Sequence, residues 1–248
     1  MSDVPASLTK RLIYLCDETS FLEKEDKMAV AGLAVPRTNL PEVLARMAAL
    51  PPTNSEAKWK TVNNRNLENR KQLVECLADV VEARLVHFHI RFADFSAYTH
   101  DGPRRRRDTV SKMFYQLLLH RAVRHYGSEF KIMIRPDDGP CTEELKDFVG
   151  ALSVEGQLRY GAHPECIEGV ICADSAREPL LQLLDVGMGA LTAFKNGRHL
   201  LPGASKAKKT LSEYAVAKMG INDIHRNLDD GRRLSVWNVI PRGRGPKG

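Results

Sequence analysis

The sequence has no long apolar run. Its longest apolar stretch, residues 180–194, is interrupted by Asp185, Gly187 and Gly189, and so lacks the ~18 successive apolar residues that a membrane span needs. Cysteine is scarce and unpaired in spacing. The five residues, Cys16, Cys76, Cys141, Cys166 and Cys172, are odd in number and contain no C-x-x-C. This argues against a disulfide framework and against a zinc ribbon, and leaves reduced thiols as the expectation. Residues 1–9 lack the basic-then-apolar pattern of a secretory signal, so a soluble, cytoplasmic protein is expected. No internal repeat is visible, which argues against a solenoid.

What is present is an ordinary globular composition, 43% hydrophobic and 27% charged over 248 residues. That length suits one large domain or two small ones. The formal net charge is +6. A basic surplus favours polyanionic partners, nucleic acid foremost, through long-range attraction and counterion release.

Hydrophobic periodicity predicts the elements. Residues 11–16 (RLIYLC) and 27–35 (KMAVAGLAV) read as two strands joined by a short connection, hence an antiparallel hairpin. Residues 41–50 read as a helix with proline in its first turn, and residues 56–62 (EAKWKTV) as a short strand. Helical spacing recurs over 66–84, 105–126, 143–152, 178–194 and 205–219, and strands are expected at 86–92, 129–134 and 167–172. A hairpin followed by alternating strands and helices predicts a mixed sheet covered by helices. Antiparallel strands at the start and parallel crossovers afterwards suit a ribonuclease H-like α/β fold, which periodicity alone does not separate from other α/β folds. We expect residues 10–195 to form that domain. Residues 196–248 should form a basic C-terminal extension with one helix and a flexible tail, the Arg-Gly run at 242–248 resembling a nucleic-acid-binding tip.

Several acidic residues follow these strands. In Asp17-Glu18, alternation puts Asp17 on the face of Ile13 and Leu15, at a strand end where α/β sheets place ligands. In Glu56-Ala57-Lys58-Trp59, a strand would put Glu56 and Lys58 about 6.6 Å apart on one face, pairing a carboxylate with an ammonium able to meet a phosphate. The helix at 178–194 is apolar nearly all round and should be buried. Asp185 in its middle then needs compensation by a metal, a basic partner or hydrogen bonds. Gln182 shares its face one turn back. Gly187 and Gly189 cost helix propensity and predict a close approach of this helix to the sheet. Asp137-Asp138 and Asp174-Ser175 each follow a strand, where aspartate also serves turns and helix caps. His87 and His89 share a strand face and read as a packed or half-exposed pair. Arg104, Arg105, Arg106 and Arg107 open a helix against its macrodipole, which favours a polyanion contact.

The ordered set Asp17-Glu18, Glu56-x-Lys58-Trp59, Asp174-Ser175 and Leu181-Gln182-Leu183-Leu184-Asp185 with Gly189-Ala190 resembles the family catalogued as domain of unknown function 3800. The resemblance runs from about Leu12 to Phe194. Thr19-Ser20, Ala57 and Pro136 depart from the family pattern. The resemblance implies a ribonuclease H-like fold with acidic residues for Mg2+ or Mn2+, and an occurrence beside bacterial defence systems.

Such a site would support in-line hydrolysis of a phosphodiester with two divalent ions, which take hard oxygen ligands. Asp17, Glu56 and Asp185 are the preferred ligands and Asp174 a fourth. Asp137 is a candidate to complete the set or to stand behind it with Glu18 and Gln182. Lys58 would stabilise charge on the phosphate. A metal-dependent nuclease leads. Two alternatives stay open on the sequence: a non-catalytic nucleic-acid-binding module, and a protein-interaction module whose partner supplies the chemistry. Oligomeric state has no sequence signal.

Overall fold

A computed structural model describes residues 7–19, 27–52, 56–94, 103–139 and 143–239. Alternation along the first two strands divides the chain into two apolar layers. In β1 (Lys10–Thr19), Leu12, Tyr14 and Cys16 face one layer while Ile13 and Leu15 face the other. In β2 (Lys27–Pro36), Met28, Val30 and Ala34 join the first, and Ala29, Ala31, Leu33 and Val35 the second. A strand buried on both faces must lie mid-sheet between two helical layers.

The sheet has seven strands in the order β5-β4-β1-β2-β3-β7-β6. The strands β3 (His87–Asp94), β4 (Phe130–Pro136), β5 (Ile167–Val170), β6 (Leu228–Asp230) and β7 (Leu234–Val239) complete it. β1, β2 and β3 form an antiparallel meander. β4 pairs parallel with β1, and β5 parallel with β4. An antiparallel start followed by parallel crossovers is the ribonuclease H-like arrangement expected above.

On the Leu15 side lie α1 (Leu40–Ala48), α2 (Leu67–Glu82), α7 (Pro179–Lys195) and α8 (Lys206–Lys218). On the Tyr14 side lie α3 (Pro103–Leu117), the short α4 (Arg124–Tyr126), α5 (Glu143–Asp147) and α6 (Val149–Tyr160). The helix expected over 105–126 is continuous but passes through a π-helical segment, Leu118–Val123, between α3 and α4. The helix expected over 143–152 is instead two, α5 and α6. The second ends at Gly161, whose φ of 63° is a left-handed C-terminal cap.

Two expectations give way to the structure. Residues 56–62 are not a strand: 56–58 are irregular and Trp59–Thr61 is a 3-10 turn. The amides of Ala57 and Trp59 donate to side chains of α7 rather than to a neighbouring strand. The stretch after residue 195 carries more than a helix. β7 pairs parallel with β3 and β6 antiparallel with β7, while Ala207, Leu211, Ala215, Leu234 and Val236 enter the α7-side core. The Arg-Gly tail lies outside the described residues.

His87 and His89 are buried under α3 and α4, with ring centroids 3.7 Å apart. The Tyr14 hydroxyl lies 2.9 Å from His89 Nδ1. Burial, reinforced by the charges of His125 and Arg121, pushes His87 down to about 2 and His89 well below its ordinary value. Both are neutral in the fold. Unfolded histidine takes a proton near pH 6.5, so below that pH the unfolded chain binds more protons and stability falls. Each histidine should lower the unfolding free energy from pH 6.5 to pH 5 by up to about 1.4 kcal/mol per pH unit, so the stability of wild type, measured by urea unfolding, should fall relative to that of a His89→Leu variant. A difference between wild type and His89→Leu that stays constant over that range would refute the assignment.

The close approach expected of Gly187 and Gly189 is present, but its partners are not the sheet. A Cβ on Gly187 would lie 2.4 Å from Leu77 of α2, and one on Gly189 would lie 2.3 Å from Trp59 Cγ. Gly189→Ala should cost about 1–3 kcal/mol by overpacking, more than the ~1 kcal/mol that alanine gains in helix propensity. Urea unfolding at pH 7 measures this, and an unchanged or raised midpoint would contradict the packing.

Candidate active site at the carboxyl end of the central strand

The site begins with the parallel pairing of β1 and β4. Their register ends with Cys16 beside Pro136, and the next amide on β4, that of Asp137, donates to Cys16 O at 2.9 Å. The ladder therefore continues through Pro136 and carries Asp137 to the same sheet end as Asp17. Asp17 is buried and pairs with Ala31, a residue of the α7-side core.

Helix α7 packs across β1 and β2 on this face and brings Gln182 and Asp185. The two act as a clamp on the loop before α2. Gln182 Oε1 accepts from Ala57 N at 2.9 Å, and Asp185 Oδ2 accepts from Trp59 N at 2.6 Å. Gln182 Nε2 also donates to Ser175 O at 2.8 Å. Residues one helical turn apart thus satisfy alternate amides of an extended segment.

The clamped loop aims Lys58 into the acidic end of the sheet. Its Nζ donates to Asp137 Oδ2 at 3.1 Å and to Ser175 Oγ at 2.7 Å, and lies 3.3 Å from Glu56 Oε1. Asp137 Oδ1 accepts from the amides of Asp138 and Ser175 at 3.0 and 3.2 Å. Asp17 Oδ1 accepts from Glu18 N at 2.7 Å.

The electrostatics are those of crowded like charge. Burial, then the charges of Asp185, Glu18 and Asp137, push Asp17 well above the usual carboxylate range. Burial and Asp137 raise Glu18 to about 7. Asp185 is raised chiefly by burial, against the opposing pull of the Trp59 amide and Lys58. For Lys58, burial disfavours the ammonium, but the hydrogen bond and charge of Asp137 outweigh it and the pKa rises. The Lys58 ammonium thus stands among Glu56, Asp137 and Asp185, while Asp17 and Glu18 feel the charge of Asp137.

Asp17, Glu18, Glu56, Lys58, Asp137, Gln182 and Asp185 are therefore gathered in one place. Asp174 is not. Its side chain is 60% exposed, and Oδ1 accepts from Ala176 N at 2.9 Å in a turn that leads into α7. The inward residue of that pair is the buried Ser175. Arg104 to Arg107 open α3, on the opposite face of the sheet from α7. Arg107 is exposed.

Two residues were missed. Ser175 stood in the motif without a role. Arg70 is buried in α2 under the influence of Asp185, with Nη2 3.5 Å from Glu56 O. Its signal was a charged residue on the apolar stripe of Leu67, Leu73, Val74 and Leu77.

Buried carboxylates that raise one another match the oxygen donors that a hard divalent cation prefers, so the donor set fits Mg2+ or Mn2+ in chemical type. Among the described residues, no three His, Cys, Asp or Glu side chains already converge tightly enough to enclose an ion. The ammonium of Lys58 stands among Asp137, Ser175 and Glu56 instead.

A carboxylate whose folded pKa is raised adds stability below its unfolded pKa and loses it as pH rises through the folded value. At pH 7, where the unfolded residue is ionised, burial of the Asp17 carboxyl beside Asp185 therefore works against the fold. Asp17→Asn keeps an oxygen for the Glu18 amide and removes the charge, so it should raise the urea midpoint at pH 7 in EDTA. A lowered midpoint would mean that Asp17 is compensated in the fold.

No family model matches the chain, and no curated protein does. Among solved structures, it is similar to a chain of the complex of PCNA with ribonuclease HII from Archaeoglobus fulgidus, at 11% identity over 94% of this chain and 98% of that one, with a TM-score of 0.39. It is also similar to ribonuclease H2 from Pyrococcus horikoshii OT3, at 10% identity over 86% and 90%, with a TM-score of 0.42. Among the described residues, no helix is long and apolar enough to cross a membrane. Strand order and direction, rather than these overlaps, make the fold ribonuclease H-like.

Proposed function

We propose that this chain is a divalent-metal-dependent nuclease that hydrolyses phosphodiester bonds of nucleic acid. The observation that carries the reading is the gathering of a buried Asp17 with the half-buried Asp185 and Asp137 at the carboxyl end of the central strands, where they repel one another. A bound cation relieves that repulsion. The ordered motifs shared with the domain of unknown function 3800 family support it, as does the basic net charge.

Asp17, Asp185 and Asp137 would hold Mg2+ or Mn2+, with Glu56 at the open edge. Such an ion, when bound, activates water and stabilises the attacking and leaving oxygens. The remaining roles belong to the chain itself. Gln182 fixes the loop that carries Glu56 and Lys58. Ser175 and Asp137 orient the Lys58 ammonium, which is placed to meet a phosphate oxygen. The position given to Asp174 on sequence passes to Asp137.

One observation favours a second reading. Lys58 already neutralises part of the cluster, as it would in a nucleic-acid-binding module without turnover.

Calorimetric titration with Mn2+ and cleavage of fluorescently labelled RNA and DNA strands separate the two. Wild-type protein should bind Mn2+ and cleave. Asp17→Asn and Asp185→Asn should each lower the rate by at least about 10²-fold, as loss of one transition-state stabiliser does. Gln182→Ala should cost about 10–100-fold through misplaced ligands. Metal-dependent cleavage that survives both aspartate substitutions would remove the assignment, and strand binding without Mn2+ binding would establish the second reading.

A further inference from the structure

A metal-binding carboxylate cluster cannot by itself retain a polyanion, because before the cation binds it repels phosphate. If the site acts on nucleic acid, the strand needs a cationic anchor on the same face of the sheet. Arg104 to Arg107 open a helix on the other face. The α7 face has a cationic feature of its own.

On the α7 side, a pocket of about 310 Å3 has Trp59, the residue whose amide donates to Asp185, in its lining. It lies between the end of α7, the turn Arg198–Leu200 and the first turns of α8. Arg198, Lys208 and Lys209 line it, together with His199, Ser205 and the edge of Trp59. No aspartate or glutamate is among the described residues that line it. The Lys208 ammonium lies 5.2 Å from the Trp59 ring centroid, so this wall carries both an aromatic ring and a charge. The volume is at the lower end of small-ligand pockets, ~300–1,000 Å3, which suits a single nucleotide unit.

Trp59 joins the two sites. Its side chain lines the pocket while its backbone amide holds Asp185, and the preceding residue, Lys58, reaches Asp137. The short turn at residues 58–59 therefore touches both the basic pocket and the acidic cluster.

We infer that the pocket lined by Arg198, Lys208 and Lys209 binds a phosphate of a nucleic-acid strand whose adjoining segment crosses the carboxylates. This rests on the nuclease reading for its substrate class. The pocket supplies affinity without touching the reacting bond, and its residues are positioning residues. Binding therefore precedes and does not require the metal.

The test is fluorescence anisotropy in EDTA with fluorescein-labelled single strands of about twelve nucleotides, RNA and DNA, a length within the range of single-strand binding sites. Wild-type protein should bind with a strong salt dependence. Lys208→Gln/Lys209→Gln should weaken Kd by about tenfold or more and make the salt slope shallower by about 1.4, the value for two lost contacts on a single strand. Lys209→Glu, a change at an exposed position, should weaken binding further, and its urea midpoint checks that the fold is intact. In a Trp237→Phe background, Trp59 fluorescence should change on strand addition, a signal that general surface attraction would not produce. Asp17→Asn, which removes a repelling charge, should bind in EDTA at least as tightly as wild type while losing cleavage in Mn2+. Unchanged Kd and slope in both lysine variants would overturn the pocket whatever becomes of cleavage. Cleavage that persists in Asp17→Asn and Asp185→Asn would overturn the catalytic reading and leave the pocket result standing. Displacement of the strand by equimolar adenosine monophosphate would assign the pocket to free nucleotides and overturn the strand proposal, whereas retention of the strand supports it.

Discussion

Carboxylates that repel one another stand together at the end of the central sheet because the backbone places them there. Asp17 follows from β1, Asp137 from β4 and Asp185 from α7, and each position is set by a ladder or a packed helix. The packing of α7 on β1 and β2 stabilises the fold through an apolar surface. That burial outweighs the cost of the crowded charge, so the cluster is tolerated rather than favoured. This is how functional sites commonly relate to their scaffolds.

The same helix organises the rest of the site by hydrogen bonding. Gln182 and Asp185 accept from the amides of residues 57 and 59, which holds an irregular segment that no neighbouring strand supports. Trp59 rests on the bare Cα of Gly189. A larger residue there would push out the turn that carries Lys58. The ammonium of Lys58 partly neutralises the cluster and is held by Asp137 and Ser175. Helix, loop and strand ends are therefore one mechanical unit, and a change in any of them is felt at the carboxylates.

Charge is divided within one face of the sheet. The strand ends are acidic, and the start of α8 with the preceding turn is basic. The net charge of +6 thus conceals two opposite local potentials. A polyanion drawn to the basic region would lie along the acidic one, where only a cation makes its approach favourable.

Local pattern carried much of this protein. Alternation in β1 put Asp17 on the face of Leu15, and the uninterrupted apolar character of α7 marked Asp185 as a buried charge in need of partners. The antiparallel start and parallel continuation of the sheet were likewise legible, since they depend on connection length and periodicity. Periodicity could not say that residues 56–62 would forgo a strand, because the acceptors that capture their amides lie more than a hundred residues away. It could not choose Asp137 and Ser175 over Asp174, since adjacent loop residues have no period and only the meeting of β4, β5 and α7 decides which turns inward. The strands at 228–239 depend on the open edge of β3, and Arg70 looks like an ordinary helix residue until α7 covers it. Sequence alone determined most of the helices and strands, those outside residues 56–62 and 228–239, and which face each one buries, because those are properties of neighbours along the chain. Only the tertiary structure decided which polar groups meet, because hydrogen bonds and charge repulsion depend on distances that packing sets.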